Sequence, residues 1–171
     1  MVHGCQTDFS TCDFCDVHKE DLSGEFRVLA PVYKDYGGVA RFCGEVVTVK
    51  CHEDNTPVKW AVEQAGLGRV LVVDGGGSLR RALLGGNLAA SAACNGWAGL
   101  VIDGCVRDLA ELRAARVGIR ALAHIPLPTV RQQPGHTGVP VLLQGVWVRP
   151  GEWLYADEDG IVVHPSPLHN P

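Results

Sequence analysis

An arginine and an aspartate stand side by side at Arg107 and Asp108, after the apolar run Leu100–Ile102 and the four residues Asp103–Val106 that follow it. A carboxylate suits a hard cation such as Mg²⁺, which keeps several waters and needs only one or two protein ligands. The neighbouring guanidinium can donate paired N–H groups to a carboxylate or an oxyanion. The pair therefore predicts a site in which a metal and Arg107 hold an α-keto acid, with a solvated surface pair as the alternative.

Two glycine-rich segments precede this pair. Asp74–Ser78 follows an apolar run, and Gly85–Leu88 leads into the small residues that predict a helix over Leu88–Cys94. Glycines in such loops let backbone N–H groups approach an anion. The first loop lacks the lysine of a P-loop, and no G-x-G-x-x-G opens a helix with an acidic residue about twenty positions later. A bound dinucleotide, ATP or methyl-donor cofactor is therefore not expected.

The elements that must position these loops alternate between strands and helices. The continuous apolar runs Val70–Val73 and Leu100–Ile102 predict strands that are covered on both faces. Loops that follow such strands commonly build ligand sites. From Val139 onward, short strands joined by glycine and proline turns predict a β-rich C-terminal part. We expect a single α/β domain with its core at about 10–164 and a loose tail at 165–171.

The composition argues against several classes of function. Fifteen Lys and Arg against nineteen Asp and Glu give a net charge of -4, and the scattered basic residues do not form a nucleic-acid footprint. Hydrophobic residues make up 46% of the chain, yet no apolar run approaches the roughly 20 residues of a membrane span. The first residues lack the pattern of a secretory signal. We therefore expect a cytoplasmic protein that binds neither nucleic acid nor membrane.

Five blocks of the sequence resemble the RraA-like family, which includes 4-hydroxy-4-methyl-2-oxoglutarate aldolases and the regulator of ribonuclease E activity. The resemblance runs from Cys15 to Val163, in family order and spacing. The blocks are VLAPVYKDYGG, FCGEVVTVKCHEDN, RVLVVDGGGSLRRALLGGNLA, NGWAGLVIDGCVRD and VRPGEWLYADEDGIVV. Together they identify residues 1–171 as one RraA-like domain.

The resemblance implies a swivelling α/β/β sandwich with a glycine-rich central sheet region, assembled as a homotrimer or a hexamer. It also implies a lyase that depends on Mg²⁺ or Mn²⁺ and acts on short α-keto acids. Such an enzyme would cleave 4-hydroxy-4-methyl-2-oxoglutarate to pyruvate and decarboxylate oxaloacetate, as a class II aldolase. The alternative within the family is a non-catalytic regulator that binds a ribonuclease E-type enzyme or an RNA helicase.

The family's aldolase motif is an Asp, twenty intervening residues and then Arg-Asp, and Arg107 and Asp108 match its end. The resemblance makes both residues catalytic: Asp108 would hold the divalent metal, directly or through its waters, and Arg107 would bind substrate. The substrate-binding segment, whose backbone contacts the substrate carboxylate, matches Gly85, Gly86, Asn87 and Leu88. The candidates for the general base are a water on the metal and a carboxylate from a neighbouring subunit.

One position departs from the motif, because Gly86 stands where the aldolases have Asp. The lost carboxylate would orient groups around the metal, and partners of that kind change metal affinity or activity by roughly 10 to 100-fold. Asn87 and Asp103 are candidates to substitute for it. The substitution Gly86→Asp is expected to raise activity or tighten metal binding. The departure favours the regulator, whereas the retained Arg107 and Asp108 favour the enzyme.

Overall fold

The structure, a computed structural model, describes residues 8–169, in which short helices alternate with strands. The helices are α1 (Thr11–His18), α2 (Thr56–Val62), α3 (Gly86–Cys94) and α4 (Leu109–Ala114). The strands are β1 (Arg27–Val28), β2 (Lys34–Asp35), β3 (Phe42–Lys50), β4 (Val70–Asp74), β5 (Ala82–Leu84), β6 (Gly99–Val106), β7 (Gly118–His124), β8 (His136–Thr137), β9 (Val141–Leu143), β10 (Val146–Val148), β11 (Trp153–Ala156) and β12 (Ile161–His164).

The centre of the sheet is parallel, with neighbouring strands in the order β3, β4, β6 and β7. β4 and β6 are buried along their whole lengths, as their continuous apolar runs predict. Antiparallel β11, β12 and β1 extend one edge, β2 closes the other, and short β5 pairs in parallel with the end of β6. β6 therefore runs on to Val106, beyond the apolar run seen in the sequence.

Two apolar layers cover the sheet on opposite faces. One layer packs α2, α3 and α4 on the central strands. The other packs the β9–β10 hairpin through Val141, Leu143 and Val148 against Val72 and Val101. The expected α/β/β arrangement, with helices, central sheet and a second β layer, is confirmed, and so is the β-rich C-terminal part. No helix in residues 8–169 combines the length and the apolar character that crossing a membrane requires.

Phe42 at the start of β3 explains two glycines of the sheet. Gly99 and Gly118 are register partners on β6 and β7, and a Cβ on either would overlap the Phe42 ring. The guanidinium carbon of Arg120 lies 5.6 Å from the centroid of the same ring. The buried ring consequently needs both neighbours to be glycine, because close-packed interiors have no room for added atoms.

We predict that Gly118→Ala lowers the free energy of unfolding by about 1–3 kcal/mol, the usual cost of overpacking a core. Urea denaturation measures this change. The matched control is Gly160→Ala, since a Cβ at Gly160 meets nothing within 4 Å. Equal midpoints for the two variants would contradict the proposed role of Phe42.

Candidate active site

The two predicted site segments meet because β5 and β6 end side by side. The N–H of Arg107 donates to the carbonyl oxygen of Leu84 at 2.9 Å, so Gly85 and Arg107 leave the sheet as neighbours. The chain then continues from Gly85 into α3 and from Asp108 into α4. Carboxyl ends of adjacent parallel strands are where α/β folds commonly place ligands.

Asp108 joins these two helices. Its backbone is left-handed, with φ 62° and ψ 49°, a conformation that Asp tolerates better than most residues because its short polar side chain bonds locally. Its Oδ2 accepts a hydrogen bond at 3.0 Å from the N–H of Gly86, the first residue of α3. N–H groups at a helix start have no partner within the helix. The carboxylate therefore anchors the start of α3 as well as standing at the start of α4.

Gly85 makes room for this carboxylate. A Cβ at Gly85 would lie 2.7 Å from Asp108 Oδ2 and 3.2 Å from Arg107 Nε. The same Arg107 Nε lies 3.7 Å from Asp108 Oδ2, and the two side chains are 39% and 40% exposed. The pair is therefore close, supported by the backbone and still open to a ligand.

The first turn of α3 offers further donors. In the part of the chain that the structure describes, the N–H groups of Asn87 and Leu88 have no hydrogen-bond acceptor. Free N–H groups and the helix dipole favour an anion at this end of a helix. The arrangement suits a carboxylate held jointly by the backbone of α3 and by Arg107.

All six residues predicted from the sequence line one cavity of about 290 Å³, close to the lower end of typical ligand pockets and therefore suited to a small molecule. These are Gly85, Gly86, Asn87, Leu88, Arg107 and Asp108. The rest of the lining was not predicted and comes from other segments: Asn55, Ala82, Pro128, Thr129 and Arg131.

The segment that carries Thr129 and Arg131 is held over the cavity by Asp54 and Asn55. Asp54 Oδ2 accepts hydrogen bonds from the N–H groups of Gln132 at 2.6 Å and Gln133 at 2.8 Å. Burial by itself raises the pKa of Asp54, but these bonds and those from Thr56 outweigh it and lower the pKa to about 2. The Asp54 carboxylate is thus ionised at neutral pH and secures this wall.

Asp103 does not lie at the cavity. It is 3% exposed, and its Oδ1 accepts hydrogen bonds from the Tyr33 hydroxyl at 2.8 Å and Gln144 Nε2 at 2.9 Å. Side chains alternate along a strand, and Ile102, the residue before Asp103 on β6, packs in the layer that faces the helices. Asp103 points to the other face and cannot replace the motif carboxylate, whereas Asn87 does line the cavity.

Glu111 fills the space that a side chain at position 86 would need. A Cβ built on Gly86 would overlap Glu111 Oε2 and lie 2.6 Å from Cδ and 2.8 Å from Cβ of that residue. Glu111 was not predicted from the sequence, although it follows Asp108 by only three residues and lies in the first turn of α4. Two carboxylates, from Asp108 and Glu111, therefore approach Gly86.

Gly85→Ala tests the space that Asp108 needs. The backbone of Gly85 has φ -129° and ψ -173°, which alanine adopts freely, so only the approach of Asp108 and Arg107 opposes the methyl group. We expect the melting temperature to stay within about 4 °C, since Gly85 is partly exposed and the neighbouring side chains can move, while the affinity for Mn²⁺ that the sequence predicts at Asp108 falls by roughly 10-fold. Isothermal titration measures the affinity, with Gly160→Ala as control. An unchanged affinity for Mn²⁺ would show that the space between Gly85 and the Asp108 carboxylate does not affect metal binding.

Similar proteins were found by sequence and by structure. The profile of the RraA-like family, described as Aldolase/RraA, matches residues 11–163. An Albidiferax ferrireducens protein named "Putative 4-hydroxy-4-methyl-2-oxoglutarate aldolase" is 65% identical, over 91% of this chain and 94% of that protein. A structure described as the RNA-processing inhibitor RraA from Thermus thermophilis has a TM-score of 0.89 and 45% identity, covering 95% of this chain and 96% of that one. A structure described as an S-adenosylmethionine:2-dimethylmenaquinone methyltransferase from Geobacillus kaustophilus has a TM-score of 0.88 and 39% identity, with coverages of 95% and 100%.

Proposed function

Because the chain belongs to the RraA-like family, we propose that it is a lyase that cleaves 4-hydroxy-4-methyl-2-oxoglutarate to two molecules of pyruvate. We further propose that it decarboxylates oxaloacetate and depends on Mg²⁺ or Mn²⁺. The observation that carries the proposal is one small cavity in which Arg107, Asp108 and the free N–H groups of α3 converge. The similarity to a named aldolase at 65% identity supports the same reaction.

The donor groups fit a hard divalent cation. Residues 8–169 contain no cluster of three or more His, Cys, Asp or Glu side chains arranged to hold a metal, as a closed zinc site would need. Mg²⁺ makes smaller demands, because one or two carboxylates suffice and waters and substrate oxygens complete its shell. Asp108 is the proposed ligand. When bound, the metal acts as a Lewis acid that draws electron density from the keto oxygen of the substrate.

Side chains and backbone N–H groups of the chain bind the substrate and stabilise the charge that develops on it. Arg107 donates N–H groups to the carboxylate or the developing enolate, and the N–H groups of Asn87 and Leu88 hold the remaining carboxylate oxygen. Donors that are already in place stabilise charge as it develops in the transition state. In retro-aldol cleavage a base takes the proton of the C4 hydroxyl, C4 becomes a keto carbon as the C3–C4 bond breaks, and the fragment with C4, C5 and the methyl group leaves as the first pyruvate. Decarboxylation breaks the bond to the distal carboxylate, which leaves as CO2. Both leave the electron pair on the same pyruvate enolate, which a proton then converts to pyruvate, so one site serves both reactions.

We assign the function of the missing motif carboxylate to Glu111. It meets Gly86 from α4, beside the N–H that binds Asp108. Glu111 is not part of the cavity lining, so its proposed effect is to position groups around the metal and to add negative charge there. Carboxylates in such positions commonly tune metal affinity.

Asp108→Asn tests the enzyme most simply. Asparagine also tolerates a left-handed backbone and keeps an oxygen for the Gly86 N–H, so the fold should survive while the charge is lost. We expect Mg²⁺-dependent pyruvate release from both substrates to fall by about 100-fold or more. A lactate dehydrogenase-coupled assay, with and without chelator, measures it. A rate of pyruvate release that neither the chelator nor the substitution changes would refute the proposed site.

Glu111→Ala tests the second carboxylate. We expect metal affinity to fall by roughly 10 to 100-fold and to recover when Gly86→Asp is added, because the new side chain then enters the vacated space. Gly86→Asp alone should bring no gain, since Glu111 already occupies that space. The sequence alone predicts a gain from the single substitution. Two results would contradict the assignment to Glu111: tighter metal binding in Gly86→Asp than in the native protein, or no recovery of metal affinity when Gly86→Asp is added to Glu111→Ala.

A second candidate function is regulation of a ribonuclease E-type enzyme or an RNA helicase. It is supported by the structural neighbour described as an RNA-processing inhibitor, at 45% identity. A regulator that works through its outer surface would keep its effect in Asp108→Asn, whereas the lyase would lose turnover. The same variant therefore separates the two functions.

We propose in addition that the chain forms a homotrimer or hexamer in the cytoplasm. Support for the assembly comes from apolar side chains left on the surface. Trp60 is 52% exposed and borders a shallow groove with Val47, Ala61 and Trp97. Apolar patches of this kind commonly mark protein interfaces.

A further inference from the structure

Arg131 is a second arginine in the lining of the cavity. It comes from the segment after β7, far in sequence from Arg107, and neither its spacing nor its neighbours mark it as a site residue. Arginine presents a planar fork of donors that matches a carboxylate. Its position raises the question of which anion it would bind.

A buried asparagine fixes the Arg131 side chain. Arg131 Nε donates to Asn55 Oδ1 at 3.0 Å, and the Thr129 hydroxyl donates to the same oxygen at 2.8 Å. Asn55 Nδ2 in turn donates to the carbonyl oxygen of Leu83 at 3.1 Å. Asn55 is 7% exposed, so its amide is held in one orientation. The guanidinium is therefore tied to the end of β5, next to Gly85.

The two terminal amino groups of Arg131 are left without a partner. Within residues 8–169 no carboxylate or carbonyl oxygen pairs with them. Three other arginines, by contrast, form ion pairs at 2.7 Å: Arg27 with Glu152, Arg80 with Glu53 and Arg120 with Asp35. A guanidinium that is held by Nε and free at its terminal nitrogens is preorganised, so little side-chain entropy is lost when an anion binds.

The charges of the lining favour a substrate with two carboxylates. Arg107 and Arg131 are positive, and Asp108 is the negative side chain among the lining residues. An α-keto monocarboxylate placed at Arg107 and the start of α3 would leave Arg131 unmatched. A second carboxylate on the same small molecule would supply its partner in a cavity of about 290 Å³.

We propose that Arg131 binds the distal carboxylate of the substrate and so makes the site selective for α-keto dicarboxylic acids over α-keto monocarboxylic acids. Asn55 is the positioning residue that holds Arg131, while the Thr129 hydroxyl is already engaged with Asn55. This inference deepens the proposed lyase function and rests on it for the location of the keto acid end.

Two ligands of equal chain length test the inference by binding alone. 2-Oxoglutarate carries the distal carboxylate, and 2-oxopentanoate lacks it. Isothermal titration in the presence of Mg²⁺ is expected to show that the native protein binds 2-oxoglutarate about 10 to 100-fold more tightly, the effect of charge-assisted hydrogen bonds. In Arg131→Gln this preference should disappear through weaker binding of 2-oxoglutarate, with 2-oxopentanoate unchanged.

Arg116→Gln is the matched control, because Arg116 is exposed and lies outside the cavity lining. It removes the same charge and should keep the preference. Asn55→Ala should weaken the preference by freeing Arg131, and thermal unfolding of each variant checks the fold.

A preference that survives in Arg131→Gln, or that Arg116→Gln reduces equally, would overturn the inference, and so would native protein that fails to discriminate or binds neither ligand. Failure of the lyase is a separate result. Discrimination through Arg131 without any release of pyruvate would refute the lyase and keep the dicarboxylate site.

Discussion

The hydrogen bond between the Asp108 carboxylate and the Gly86 N–H is the interaction on which the site depends. It links the segment after β5 to the segment after β6, and it fixes a carboxylate at the start of α3. Such a bond needs a glycine at position 85, since a Cβ there would lie 2.7 Å from the carboxylate oxygen. It also needs an aspartate that accepts a left-handed backbone. One short contact thus links the proposed metal ligand, the proposed anion-binding turn of α3 and Arg107.

The opposite wall of the cavity depends on a second pair of adjacent residues, Asp54 and Asn55. Asp54 holds the backbone of Gln132 and Gln133, and Asn55 holds Arg131 and reaches across to Leu83 at the end of β5. Both residues are buried, so their hydrogen bonds operate where water competes little. The cavity is therefore built by short polar contacts at the end of a rigid apolar sheet.

Much of this could be predicted from the sequence, for identifiable reasons. The apolar runs of β4 and β6 predict buried parallel strands. The motif residues Gly85–Leu88, Arg107 and Asp108 line one cavity. Contacts between distant segments could not be predicted. From the sequence, Asp103 is a candidate to replace the motif carboxylate. In the structure its side chain lies on the other face of the sheet, because side chains alternate along β6. Glu111 and Arg131 are identified only by their contacts in the folded chain. Glu111 packs on Gly86, and Arg131 is held by Asn55, 76 residues earlier.

The most direct measurement is a crystal structure of the protein with Mn²⁺ and oxalate, which mimics the planar pyruvate enolate. We predict an anomalous Mn²⁺ peak beside the Asp108 carboxylate, with oxalate on the metal and one of its carboxylates at Arg107 and at the N–H groups of Asn87 and Leu88. A Mn²⁺ peak elsewhere, or oxalate bound away from the start of α3, would contradict the account.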